Sequence, residues 1–217
     1  MTRVMLILLG LLAVVPAAAR AQDANSIVGR SSRVYRSLSS LTADFVQVID
    51  NPMIDSAETR GTLVQAGTDK FAMRFTDPPG EAVIIDGRSV WVYTPSTTPG
   101  QVIRMSVPSG GPVYGYNMLA WLLDRPAERY TASYLRADVV GGRSMDVVEL
   151  VPAVPDLPFE RAVLWLDRAD GVPRRLEITE HSGATRTLTL SKVRVNQSVP
   201  DSTFRFQVPP GVRVVDQ

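Results

Sequence analysis

The residues able to do chemistry are few, and they are scattered. The one histidine, His181, sits near the end of a strand-like run before Ser182-Gly183. A serine hydrolase would need a nucleophile presented to that imidazole, and no G-x-S-x-G elbow accompanies it; it reads as a turn histidine. Asp86 and Asp170 each precede glycine and read as turn formers, and Asp138, Asp146 and Glu149 fall at or within strands. No H-E-x-x-H, EF-hand loop or P-loop occurs, and Gly110-Gly111 and Gly141-Gly142 lack the continuation a phosphate cradle requires. The chain contains no cysteine, which excludes a disulfide framework, thiolate metal sites and lipidation of an N-terminal cysteine. No catalytic residue, metal ligand or cofactor is therefore assigned. What exceeds the ordinary is apolar. Phe71, Met73 and Phe75 alternate with Lys70, Ala72, Arg74 and Thr76, a half-buried strand with large residues on one face. Such a face is either packed core under a helix or the wall of a ligand cavity, and composition does not separate the two.

The surrounding elements must position that face. Ile27, Val34, Leu38 and Leu41 recur at helical spacing and predict an amphipathic helix over Ser26 to Leu41. Period-two runs follow at 42–50, 59–66, 70–76 and 101–107, then at 130–137, 144–151, 162–167, 174–181 and 185–196, and a short 204–208 run closes the series. Between the third and fourth lies EAVIIDGRSVWVY, two apolar runs hinged on Asp86-Gly87, a strong hairpin signal. Both faces of this hairpin are largely apolar, so each needs a cover. Alternation leaves open which of Trp91 and Tyr93, or Val90 and Val92, points inward. The series is interrupted by PVYGYNMLAWLLDRPAER, where Tyr114, Met118, Trp121 and Leu122 share helical spacing and Pro126 ends or kinks the helix. Roughly ten strands joined by short turns, with two helical segments, describe a mainly β chain with helices (α+β): one large antiparallel meander, its helices laid on the sheet.

The chain opens with Arg3, an uncharged stretch from Val4 to Val15, a proline, and Ala19-Arg20-Ala21, the order of a secretory signal peptide. The apolar stretch is shorter than the ~20 residues of a membrane span. The expectation is a signal peptide over 1–21 and a single domain over 22–217, soluble outside the cytoplasm. Removing residues 1–21 takes away two arginines and no acids, so the formal charge passes from +1 to −1. A near-neutral chain offers no footprint for nucleic acid.

At LTADFVQ (Leu41 to Gln47), GTLVQ, KFAMRFTDPP, IIDGRSVWVYTP and the closing FRFQVPPGVRVVDQ, the chain resembles the LolA family of periplasmic lipoprotein carriers, from about Ala24 to Gln217. The resemblance implies an incomplete, or half, antiparallel β-barrel whose concave face is closed by a helical lid over a hydrophobic cavity for acyl chains. It implies acylated lipoproteins as cargo, an ATP-driven inner-membrane lipoprotein-releasing complex and an outer-membrane receptor lipoprotein as partners, and a monomeric, non-enzymatic periplasmic protein. Phe71 matches the family's cavity-facing aromatic, Met73 and Phe75 follow on the same face, and Tyr114, Met118 and Leu122 fall in the lid helix. Trp91 and Tyr93 complete the candidate acyl-binding set. One departure stands out: the familiar enterobacterial carrier has Lys-Arg-Pro where this chain has Ala66-Gly67-Thr68, and its arginine hydrogen-bonds the closed lid. Here either Lys70 or Arg74 substitutes, or apolar contacts alone hold the lid. Two rival readings remain: a half-barrel that carries another lipid or senses mislocalised lipoproteins, and a periplasmic hydrolase built on His181.

Overall fold

A computed structural model describes residues 17–107, 115–153 and 157–217. The expected signal sequence lies for the most part outside them. The first described element is helix α1 (Ala17–Ser37). It buries Ala24, Val28 and Tyr35, spaced by whole turns, while Ile27 and Val34 flank them half-buried. The helix ends at Ser37 rather than Leu41; Leu38 follows it, and Leu41 already belongs to a strand.

Twelve strands of the described residues form one sheet. The first six run β1 (Ser40–Asn51), β2 (Ile54–Ala66), β3 (Lys70–Asp77), β4 (Pro79–Asp86), β5 (Ser89–Tyr93) and β6 (Gln101–Ser106). Short helices α2 (Met118–Leu123) and α3 (Pro126–Arg129) intervene. The chain then returns through β7 (Tyr130–Val140), β8 (Arg143–Pro152), β9 (Arg161–Asp167), β10 (Pro173–Thr179) and β11 (Thr185–Val195). Two antiparallel meanders, β1 to β6 and β7 to β11, are joined because β11 pairs with β1. The sheet does not close: its edges are β7 and a last strand, β12 (Arg213–Asp216), which pairs parallel to β6. That parallel edge is the one exception to the antiparallel expectation.

Several registers slip by a residue, at Thr42/Asp44, Arg60/Gly61, Arg74/Thr76 and Tyr134/Arg136, and such bulges bend a strand and increase its twist. Gly61 sits at one of them. A Cβ there would overlap the Arg74 carbonyl oxygen and come within 2.8 Å of the Phe75 Cα, so glycine is what lets β3 approach β2.

The main core lies on the sheet face covered by α1 and α2, and it joins Leu41, Phe45, Leu63 and Phe71 to Leu122, Leu164 and Leu176. Ser32 Oγ donates to the Leu123 carbonyl at 2.7 Å, tying α1 to the end of α2. Arg30 reaches the β9–β10 turn, donating to the Arg168 carbonyl at 2.6 Å. The 204–208 run, expected as a strand, is none. A 3-10 turn (Asp201–Phe204) and the extended residues after it lie on the opposite face of β3 to β5, where Phe204 and Phe206 pack on Ala72, Ala82, Ile84 and Trp91.

Candidate functional site

Strand parity decides what faces the helices. Phe71 and Met73 are buried on the helix side of β3, 3% and 6% exposed, and Phe75 packs edge-on against Phe45 at 5.2 Å between ring centroids. The register carries that face across β4 and β5: Phe71 opposes Ile85, Met73 opposes Val83, and these oppose Val90 and Val92. Beneath α2 lies a partly open cavity of about 320 Å³, lined by Phe71, Met73, Phe75, Val83 and Val92 on one wall and by Met118 and Leu119 of α2 on the other. Its size is at the low end of the ~300–1,000 Å³ typical of ligand pockets.

Trp91 and Tyr93 lie elsewhere. By the same parity they point to the other face, where Trp91 stacks on Phe206 at 5.5 Å and Tyr93 lies 5.6 Å from the same ring. Trp91 Nε1 also donates to Asp86 Oδ2 at 3.0 Å, which fixes the indole on the outer side of the hairpin. Asp86 caps the turn as well, accepting from the Arg88 and Ser89 amides at 2.9 and 2.8 Å, so the residues between the paired strand ends are Gly87-Arg88. Burial opposes the charge of this carboxylate, but the Ser89 amide and the Trp91 indole outweigh it and hold Asp86 below the usual carboxylate range. Of the other candidates, Met118 lines the cavity, Leu122 is fully buried in the core behind it, and Tyr114 lies outside the described residues.

The lid is held by polar side chains outside the candidate set. Gln65, 1% exposed, has its Oε1 accept from the Tyr35 hydroxyl of α1 and from Asn117 Nδ2 at 3.2 Å. Asn117 is the N-cap of α2, its Oδ1 accepting from the Ala120 amide at 3.2 Å. Gln65 Nε2 in turn donates to the Gly67 carbonyl at 2.8 Å. One buried amide thus joins β2, α1 and the start of α2, and burial pushes the Tyr35 hydroxyl well above its usual range. Neither lysine nor arginine substitutes as expected: Lys70 pairs with Asp201 at 2.8 Å, and Arg74 donates to the Thr203 carbonyl at 3.2 Å, both on the outer face. Nor are apolar contacts alone at work. A signal was present in the sequence, because Gln65 shares parity with Leu63 and a polar side chain on a core face must find partners. Pro126 begins α3 and Arg125, at φ 44°, breaks the helix before it, as the proline predicted.

His181 is exposed on the β10–β11 turn, its Nε2 3.0 Å from the Leu157 carbonyl, remote in register from the aromatic strand.

Residues 36–207 match the family described as outer membrane lipoprotein carrier protein LolA. The chain belongs to the LolA family. An outer-membrane lipoprotein carrier protein from Methylobacillus flagellatus is 25% identical over 94% of this chain and 93% of its own length. One from Halorhodospira halophila is 27% identical over 73% of this chain and 70% of its own. Among solved structures, an uncharacterised conserved protein from Thermus thermophilus has a TM-score of 0.57 at 14% identity, over 90% of this chain and all of that one. The lipoprotein LppX from Mycobacterium tuberculosis has a TM-score of 0.50 at 13% identity, over 82% of this chain and 98% of its own. At such identities the structures speak for the fold alone.

Proposed function

We propose that the mature chain, residues 22–217 after loss of a signal peptide, is a monomeric periplasmic carrier whose cavity takes the acyl chains of lipoproteins and brings them to the outer membrane. The observation that carries this is the aromatic strand: Phe71, Met73 and Phe75 join the main core on one side and border a void beneath α2 on the other. Acyl burial is worth about 0.8 kcal/mol per CH₂, so a lipoprotein with several chains does not cross water unaided. A cavity that imitates the membrane interior removes that barrier. Because bilayer and cavity are both apolar, loading and unloading are close to balanced, and direction comes from partners. In the LolA resemblance those are an ATP-driven inner-membrane releasing complex and an outer-membrane receptor lipoprotein.

Release from vesicles that contain a triacylated lipoprotein and the releasing complex tests this. The protein is expected to bring lipoprotein into the soluble fraction only with ATP, and Phe71→Glu to abolish that, since a carboxylate would have to enter the apolar wall. Lipoprotein release by Phe71→Glu equal to that of the parent contradicts the reading.

A further inference from the structure

Arg186 is unlike the other half-buried or buried arginines of the chain. Arg129 donates to the Trp121 carbonyl at 2.7 Å and covers the Trp121 ring. Arg174 meets Asp170 and, at 3.5 Å, Asp167. Arg175 lies 4.6 Å over Trp165 and 3.7 Å from Glu177. Arg186 is half-buried on β11, and its side chain donates no hydrogen bond and enters no ion pair or ring contact among the described residues. Its placement is set by the sheet: it opposes Ile49 on β1 and Ile178 on β10, and the next residue on its face, Leu188, is buried in the main core. It therefore points to the helix-covered side, where it lines the same cavity as Phe71 and Phe75, with Gln47 and Thr94 as polar neighbours in that lining. Of these polar groups, Gln47 already donates to Thr59 at 3.4 Å.

A guanidinium carries five donors and no acceptor, and those of Arg186 meet no protein acceptor among the described residues, so they are open to one that enters the cavity. Pockets for small ligands are mostly apolar with a few convergent polar groups that fix orientation. We infer that Arg186 is the head-group anchor of the cavity: it holds an oxygen acceptor, a carboxylate or the ester and amide carbonyls that join acyl chains to their carrier, while the chain lies against Phe71, Met73 and Phe75. This rests on the carrier reading and adds to it an orientation, with the acyl tail beneath α2 and the polar head toward β11.

The test compares ligands of one chain length and different heads. Binding of dodecanoate, of dodecanol and of a synthetic diacylglyceryl-cysteine lipopeptide is measured by displacement of an apolar fluorescent dye, for the parent, Arg186→Leu, Arg186→Gln and Arg186→Lys. The parent is expected to prefer dodecanoate to dodecanol. Arg186→Leu and Arg186→Gln are expected to weaken dodecanoate binding roughly ten- to hundredfold, the worth of a charge-assisted hydrogen bond, and to weaken dodecanol, a single neutral acceptor, by much less, with Arg186→Lys in between. Parallel weakening of the lipopeptide identifies the ester and amide carbonyls as the anchored group; weakening of dodecanoate alone identifies a free fatty carboxylate. Dodecanoate binding by Arg186→Leu and Arg186→Gln equal to that of the parent overturns the anchor and leaves the carrier reading standing. Failure of the parent to bind any of the three overturns both.

Discussion

The hairpin β4–β5 has two apolar faces, and the chain treats them differently. On the outer face, Ile84 and Trp91 are covered by Phe204 and Phe206 from the C-terminal segment, and that segment is clamped by Lys70–Asp201 and by Arg74 on its carbonyls. On the inner face, Val83 and Val92 look across about 320 Å³ of cavity at a six-residue helix. The residue types are alike on the two sides. What differs is whether the chain fills the space it covers, and a face left unfilled beneath a short, polar-latched helix is one that a ligand can fill.

The largest effect is expected where the space is filled. Phe204 is 2% exposed, and Phe204→Ala should cost about 3–5 kcal/mol in denaturant unfolding while leaving acyl-ligand affinity per folded molecule unchanged. Phe75→Ala, the same truncation at the cavity wall, should cost well under that, because a side chain bordering a void has fewer contacts to lose. Equal costs at the two positions would erase the distinction between the faces. The latch comes next. Gln65→Ala leaves the Tyr35 hydroxyl and the Asn117 amide without their shared acceptor and should cost about 1–3 kcal/mol, with amide exchange of residues 118–123 accelerating more than that of β8 to β10. Unchanged exchange in α2 would show that apolar contacts suffice to hold it.

The smallest effect is a matter of pH. Asp167, its side chain 1% exposed, sits between Arg143 and Arg174 at the β9–β10 turn that Arg30 of α1 also grips. Burial opposes its charge, but the hydrogen bond from Arg143, the Ala169 amide and the Arg174 charge outweigh it and hold the carboxyl below the usual range. A carboxyl lowered on folding contributes stability above its unfolded value, near pH 4, and loses that contribution as pH falls through the folded value. Acid unfolding below about pH 4 should therefore be shallower in Asp167→Asn than in the parent. An unchanged acid limb would remove Asp167 from the account.

Much of the sheet was legible because alternation and turn residues mark strands one at a time; β3 was expected at 70–76 and spans Lys70–Asp77. Pairing was not legible in the same way. Val83, Ile85, Val90 and Val92 must share one face of the hairpin and Ile84 and Trp91 the other, yet only the register of β4 on β3, with Ile85 opposite Phe71, says which face is inner. FRFQV alternates like a strand, and what makes it a cover is a long-range contact between Phe206 and Trp91 that periodicity does not encode. The N-terminal helix differs from the expected Ser26 to Leu41 at both ends: it begins earlier, at Ala17, and stops at Ser37, because Leu38 and Leu41 continue a helical spacing into the loop and β1. Gln65 and Arg186 are inconspicuous in the sequence for one reason: a single polar residue on an apolar face carries little weight in a pattern, although its place there makes it informative.

The central claim is that cargo meets the inner face alone, and the adjacent residues Val92 and Tyr93 test it most directly. A photo-crosslinking benzophenone amino acid is placed at each position in turn, and the protein is loaded with an acylated lipoprotein and irradiated. Crosslinks to the acyl chains from position 92 and none from position 93 are the predicted result; crosslinks from position 93 that equal or exceed those from 92 would contradict the account.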